Sequence, residues 1–189
     1  MPHQLNWQEI CQMIPKRKAD AQKGDFGRLL CITGSRNMPG ACLLSTQAAL
    51  RGGAGLVTVA TAPENPMRLA AAAPEAMWLP LETDEAGFLR SSDQNRKTLE
   101  KQLSRANAVL LGCGLGVTEE TRRLVYWVLE QAVCPVVLDA DGLNCVVSCI
   151  ELSRRTGKDW ILTPHPGEMA RLTGRSIPQI QENRVETAT

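Results

Sequence analysis

Short apolar runs that each end on a polar residue or glycine constrain this 189-residue chain more than any other feature. They are 29–33 (Leu-Leu-Cys-Ile-Thr), 56–60 (Leu-Val-Thr-Val-Ala), 108–111 (Ala-Val-Leu-Leu), 136–138 (Val-Val-Leu) and 161–162 (Ile-Leu), with a further short one at 76–79 before Pro80. Runs that are apolar without alternation fit strands covered on both faces. Helical spacing fills the intervals. Residues 40–50 carry no charge and suit a helix covered on most sides, and 97–106 place Leu99 and Leu103 one turn apart. Residues 119–131 give the clearest amphipathic stripe, Leu124, Val125, Val128 and Leu129, with Glu119 and Glu120 suited to a first turn. Residues 143–152 and 168–172 also read as helical, the latter interrupted by Gly174 and Pro178. Strand and helix in alternation predict an α/β fold: a mostly parallel central sheet with helices on both faces and right-handed crossovers.

The ends fit this scheme less closely. Residues 1–22 read as a lead-in to one domain over 23–189, with a short helical face of Trp7, Ile10, Cys11 and Ile14 before Pro15. Residues 177–189 are mostly polar, an abrupt end for a covered sheet.

Composition removes several functional classes. With 21 basic and 20 acidic side chains the formal charge is +1, so no general attraction to nucleic acid or an anionic membrane is expected. No apolar run approaches membrane-spanning length. The seven cysteines show no C-x-x-C spacing and sit mostly among aliphatic residues, which predicts buried thiols in a reducing, cytoplasmic setting. The two histidines, His3 and His165, offer few ligands for a zinc site, and no metal-ligand set is predicted.

Chemistry-bearing residues gather after the strands, where open α/β sheets bind ligands. Gly34-Ser35 through Gly40-Ala41 follow the first, and Gly112-Cys113-Gly114-Leu115-Gly116 follow the fourth. The second string fits either an anion-binding nest of amides or a plain tight turn; it matches neither the dinucleotide fingerprint nor a P-loop. Asp139 and Asp141 could orient a substrate hydroxyl or approach magnesium, or instead hold a turn and cap a helix. His165, held between Pro164 and Pro166, suits hydrogen bonding near neutral pH, with Glu168 either a partner or only a cap. Ser35 lacks a nucleophile elbow, and Cys113 has no base adjacent in sequence, so it reads as a small residue in a tight loop.

Taken in order, these strings resemble the ADP-dependent NAD(P)H-hydrate dehydratase family of the ribokinase-like superfamily. The matching blocks are Lys23-Gly24-Asp25-Phe26-Gly27, Gly34-Ser35 through Gly40-Ala41, and Ala49-Leu50-Arg51-Gly52-Gly53-Ala54-Gly55-Leu56-Val57. They continue with Pro74-Glu75-Ala76-Met77, then 112–116, 139–144 and 163–168, so that the resemblance covers about residues 20–174. It implies a three-layer ribokinase-like domain and repair of hydrated NADH or NADPH. In that family ADP, or ATP in some members, phosphorylates the hydrate hydroxyl with Mg2+, and loss of phosphate restores the cofactor. It further implies that Ala41, Gly116 and His165 contact the hydrated nicotinamide, and that Asp139, Asp141 and Asn144 line the same cleft. Gly112, Gly114 and Gly116 would form an anion or nucleotide loop. Lys23 and Asp25 would border the cleft, Glu168 would lie beside it, and Asp141 and His165 would contribute to catalysis. A homotetramer is usual in the family. The family's lysine-containing nucleotide strand and its Gly-Thr-Gly-Asp motif, which carries the principal base, do not occur in these residues. The expectation is therefore a C-terminally truncated domain that retains the substrate-facing half. Two alternatives stay open: a non-catalytic binding or assembly protein, and a vitamin-precursor kinase of the same superfamily.

Overall fold

The computed structural model describes residues 4–14, 16–147 and 159–188. Six strands, β1 (Arg28–Ile32), β2 (Leu56–Thr61), β3 (Met77–Pro80), β4 (Ala108–Leu111), β5 (Val136–Leu138) and β6 (Trp160–Leu162), form one sheet in the order β3-β2-β1-β4-β5-β6. Every pairing is parallel.

Alternation along the strands divides the core into two layers. Leu30 and Ile32 lie opposite Val109 and Leu111 and face α4 (Asp93–Leu103), α5 (Glu119–Gln131) and α6 (Asp141–Val146). Leu29 and Cys31 lie opposite Val57 and Val59 and face α2 (Pro39–Arg51) and α3 (Asn65–Leu69). The expected α/β fold with helices on both faces is therefore the observed one. The predicted stripe of α5 is its buried face: Leu124, Val125, Val128 and Leu129 are all inaccessible. Each such side chain contributes about 1.5–3 kcal/mol through burial. Thr118 starts α5 by accepting from Thr121 N, and Glu119 and Glu120 sit in its first turn.

Differences from the sequence expectations have local causes. α4 begins at Asp93 because the Ser92 side chain caps it, accepting from Asn95 N. α2 is not covered on most sides: Cys42 and Thr46 are buried, but Leu44 is 69% exposed on the outer face. Its lack of charge is thus no measure of its burial. The helix expected at 168–172 is α7 (Pro166–Thr173), and the polar stretch that begins at 177 forms α8 (Ile177–Glu182) and α9 (Arg184–Ala188), with Ile180 buried. At the other end α1 (Trp7–Met13) is started by a capping box between Asn6 and Glu9 but buries none of its residues. Pro15, Cys149 and the expected continuation of a helix to 152 lie outside the described residues. Cys31, Cys42 and Cys145 are free and buried, whereas Cys11 is exposed.

Topology then sets where a ligand can sit. The chain runs outward from β1 through β2 to β3, then returns to place β4 on the other side of β1. The connections after β1 and β4 leave adjacent strands in opposite directions, which opens a crevice at their carboxyl ends.

Candidate functional site

Four loops meet at that crevice. The loop after β1 is stapled to the loop after β4: Gly34 N donates to Cys113 O at 2.9 Å and Ser35 N to Gly114 O at 2.7 Å. The loop after β5 joins them through Asp141, whose Oδ2 accepts the N–H of Gly116 at 2.8 Å. Asp139 Oδ1 accepts from Thr163 Oγ1 at 2.8 Å, which ties in the loop after β6, and its Oδ2 accepts from Cys113 Sγ at 3.3 Å. Asp139 is thereby a strut between loops, with both oxygens engaged. Asp141 has one oxygen held, and Oδ1 has no partner among the described residues.

Close packing explains the glycines of the 112–116 loop. Gly112 (φ +129°) lies against the backbone of Asp139 and Gly142, where a Cβ would overlap both. Gly116 (φ +77°) lies under the Phe88 ring, again with no room for a Cβ. Two of the three amides expected to cradle an anion are engaged internally, Gly112 N with Ile32 O and Gly116 N with Asp141. The loop acts here as a joint between strand ends more than as an open nest. Ala140, which precedes α6, has φ +50° and is the one non-glycine with positive φ among the described residues. Such a strained residue persists only where its surroundings hold it, and it stands between the two aspartates.

The other predicted residues fall in two groups. Ala41, in the first turn of α2, sits against Gly114 and so borders the same crevice. His165 is the N-cap of α7: Nδ1 accepts from Gly167 N at 3.0 Å and from Glu168 N at 3.3 Å. That arrangement leaves the ring proton on Nε2, 3.3 Å from Glu168 Oε1. Glu168, buried, closes a capping box by accepting from His165 N at 2.9 Å. Asn144 Oδ1 accepts from Arg171 Nε at 2.8 Å.

Lys23 and Asp25 are not brought to the crevice. They lie in a 3-10 turn (Lys23–Phe26) that leads into β1, at the amino end of the sheet, where Asp25 Oδ2 accepts from Gln22 N. A five-residue strand, roughly 16 Å long, separates that turn from the crevice. A cavity of about 720 Å³ opens there, lined by Lys16, Lys18, Asp25, Phe26 and Gly53 among others. It lies at the opposite end of the strands from the converging loops.

Three residues join the site that sequence reasoning did not single out. Phe88 comes from a turn closed by the Thr83–Leu89 bridge and forms a wall over Gly116. Arg36 fastens that turn to the loop after β1: Nη1 donates to Glu85 O at 3.0 Å and its backbone N to Gly87 O at 2.9 Å, while Nε donates to Glu64 Oε1 at 2.7 Å. Asn65, fully buried at the start of α3, donates through Nδ2 to Ser35 O at 3.2 Å and to Thr61 Oγ1 at 2.7 Å, which supports the crevice floor.

Residues 29–189 match the family model described as NAD(P)H-hydrate dehydratase. The chain belongs to the NAD(P)H-hydrate dehydratase family. It is 39% identical over 182 residues to the bifunctional NAD(P)H-hydrate repair enzyme of Coxiella burnetii, a match that covers 96% of this chain and 34% of that protein. It is 38% identical to the ADP-dependent (S)-NAD(P)H-hydrate dehydratase of Xanthomonas campestris, over 86% of this chain and 53% of the relative. The fold resembles the crystal structure of the ADP/ATP-dependent NAD(P)H-hydrate dehydratase of Bacillus subtilis, co-crystallised with ATP and Mg2+. The TM-score is 0.72 at 29% identity, covering 96% of this chain and 59% of that one. An Enterococcus faecalis ribokinase-like superfamily protein gives a TM-score of 0.76 at 26% identity, over 97% of this chain and 60% of that one. This family member therefore spans about a third to three-fifths of the length of these relatives. Among its described residues no helix is long and apolar enough to cross a membrane, and no three His, Cys, Asp or Glu side chains cluster as metal ligands.

Proposed function

We propose that this chain forms the substrate-facing half of an ADP-dependent dehydratase that restores NADH and NADPH from their hydrates. The observation that supports the reading is the Gly116–Asp141 bond beside Ala41 at the strand ends, with the loop that leads to His165 tied in through Thr163 and Asp139, in a member of this family. The hydrated nicotinamide ring would lie between the 112–116 loop and the start of α7. Phe88 would exclude water from one side. Asp141 Oδ1 would accept the hydrogen of the substrate hydroxyl while Gly116 N–H holds Oδ2, so the carboxylate keeps one orientation as the hydroxyl reacts. His165, with Nδ1 taken by the helix start and Nε2 3.3 Å from Glu168 Oε1, would meet the ligand through its exposed ring.

The adenine nucleotide and Mg2+ enter on chemical grounds. Bound ADP with Mg2+ would supply a phosphoryl group that turns the hydrate hydroxyl into a leaving group. With no cluster of three ligand side chains among the described residues, the ion fits better as one carried by nucleotide phosphates than as one caged by this part of the chain. A soluble homotetramer in the cytoplasm accords with family habit.

The test is recovery of NADH absorbance from hydrated NADH with ADP and Mg2+. Two samples are compared: the 189-residue chain, and the same chain joined to the part of the Bacillus subtilis relative that it does not match. Recovery with the joined protein supports the reading. Absence of recovery from it, together with no calorimetric binding of hydrated NADH to either sample, overturns it. Consumption of ATP on a vitamin-precursor alcohol instead would point to the kinase alternative.

A further inference from the structure

We infer that Arg171 and Arg122 form a subsite for a diphosphate group beside the candidate cleft. The inference rests on the reading of that cleft as a dinucleotide-hydrate site, and it assigns where the charged middle of such a ligand would be held.

Arg171 extends from α7 to α6, where Nε donates to Asn144 Oδ1 at 2.8 Å. Its Nη1 lies 4.0 Å from the position a Cβ would take on Gly167, so the guanidinium spans the gap between Asn144 and the helix start capped by His165. Arg122, on α5, donates through Nη1 to the carbonyls of Asn144 at 3.4 Å and Cys145 at 3.2 Å. Both guanidiniums are thus oriented by neutral oxygens. Together with Val117, Asn144 and Val147 they line an open groove of about 490 Å³. The groove starts at the residue after Gly116, so it continues the cleft.

Charge is unbalanced in this groove. Among the described residues no carboxylate lines it and neither arginine makes an ion pair. Acidic residues nearby in sequence are engaged elsewhere: Glu168 with His165, Glu119 and Glu120 with Arg123, and Asp141 by one oxygen with Gly116. Other arginines of the chain, Arg36 and Arg123, do have carboxylate partners. Two pre-oriented forks without a counter-charge recognise a phosphate oxyanion pair well, since guanidinium geometry matches phosphate bidentately. A diphosphate ester carries two adjacent negative groups and fits two arginines anchored by one asparagine. Either the dinucleotide or ADP could present it. The continuity with Gly116 and Asp141 favours the dinucleotide.

The experiment uses calorimetry on the 189-residue chain with inorganic pyrophosphate, ADP and hydrated NADH as separate probes, at low and raised salt. Arg171→Gln is the main variant, since Arg122 also holds the carbonyls of α6. Arg171→Lys and Asn144→Ala accompany it, with circular dichroism to establish that each is folded. The expected result is salt-sensitive pyrophosphate binding that falls about ten- to a hundredfold in Arg171→Gln and less in Arg171→Lys. Hydrated NADH should show the same dependence and compete with pyrophosphate. Failure of wild-type protein to bind pyrophosphate, or equal affinity in folded Arg171→Gln, overturns the subsite. If hydrated NADH binds regardless of Arg171, the subsite fails while the proposed function stands. Arg171-dependent pyrophosphate and ADP binding without any binding of hydrated NADH would keep the anion site and remove the dinucleotide assignment.

Discussion

Asp141 Oδ2 accepts the backbone N–H of Gly116 at 2.8 Å, and this bond locks the loop after β4 to the start of α6. It couples a carboxylate suited to meet a substrate hydroxyl with a loop packed under Phe88. Replacement by alanine removes the acceptor and leaves a partly buried N–H, a loss of about 1.5–3 kcal/mol for a bond to a charged group. Asparagine keeps an acceptor oxygen but not the charge. Urea unfolding should therefore rank wild type above Asp141→Asn and Asp141→Ala lowest. Binding of hydrated NADH should weaken in both variants. Equal stability of all three proteins would remove the locking role.

Phe88 and Gly116 offer a paired test. Alanine at Gly116 requires φ near +77° and overlaps the Phe88 ring, so Gly116→Ala should destabilise by about 1–3 kcal/mol or more. Phe88→Ala relieves the overlap but not the backbone strain. In a double-mutant cycle the second substitution should thus cost less in the Gly116→Ala background than in wild type. Strict additivity would mean that the ring and the loop are not in contact.

The sheet was legible because five runs lacked alternation, and β4, β5 and α5 begin and end where the sequence places them. α5 carries its own start signal in Thr118, and Ser92 carries the one for α4 that the spacing of Leu99 and Leu103 alone does not reveal. The convergence of Asp139, Asp141 and Gly116 followed from strand ends, since parallel strands deliver their following loops to one side. The same rule excludes Lys23 and Asp25, because a segment that precedes a parallel strand lies at its other end. Phe88, Arg36, Asn65 and Arg171 had no such signal. Their place depends on a bridge between Thr83 and Leu89 and on side chains that cross between elements, which no local period encodes. Asn144 and Glu168, named as site residues, bond to Arg171 and to the His165 cap, contacts that their positions in sequence do not reveal.

Buried thiols give the chain a defined alkaline weakness. Burial pushes Cys31 up to about 12, helped by nearby Cys42 and Cys113, and burial pushes Cys145 up to about 11. Both exceed the ordinary value of 9.0. The folded state therefore holds these protons to higher pH than the unfolded chain does. The stability they confer is complete below pH 9.0 and is lost as pH rises from there towards about 11 and 12. Each thiol adds a slope of about 1.4 kcal/mol per pH unit inside its window. Unfolding free energy should fall steadily above pH 9.0, and Cys31→Ala should flatten the decline. At neutral pH a thiol reagent should modify exposed Cys11 quickly and Cys31, Cys42 and Cys145 only on unfolding. Rapid reaction of Cys31 in the folded chain would contradict its burial.

His165 combines two roles that a single substitution can separate. As N-cap it accepts two backbone N–H groups through Nδ1, and as a candidate ligand contact it presents an exposed ring whose Nε2 lies 3.3 Å from Glu168 Oε1. Asparagine is among the best N-caps and can accept the same N–H groups through its side-chain oxygen, but it lacks the ring and Nε2. His165→Asn should keep the stability of the chain within about 0.5 kcal/mol, whereas His165→Ala should lose about 1 kcal/mol with the cap. Affinity for hydrated NADH should fall in both. Two measurements decide the matter, thermal unfolding and calorimetric binding on the same three proteins. If His165→Asn binds hydrated NADH as tightly as wild type, the histidine serves α7 alone and the substrate is held by the Gly116–Asp141 side of the crevice.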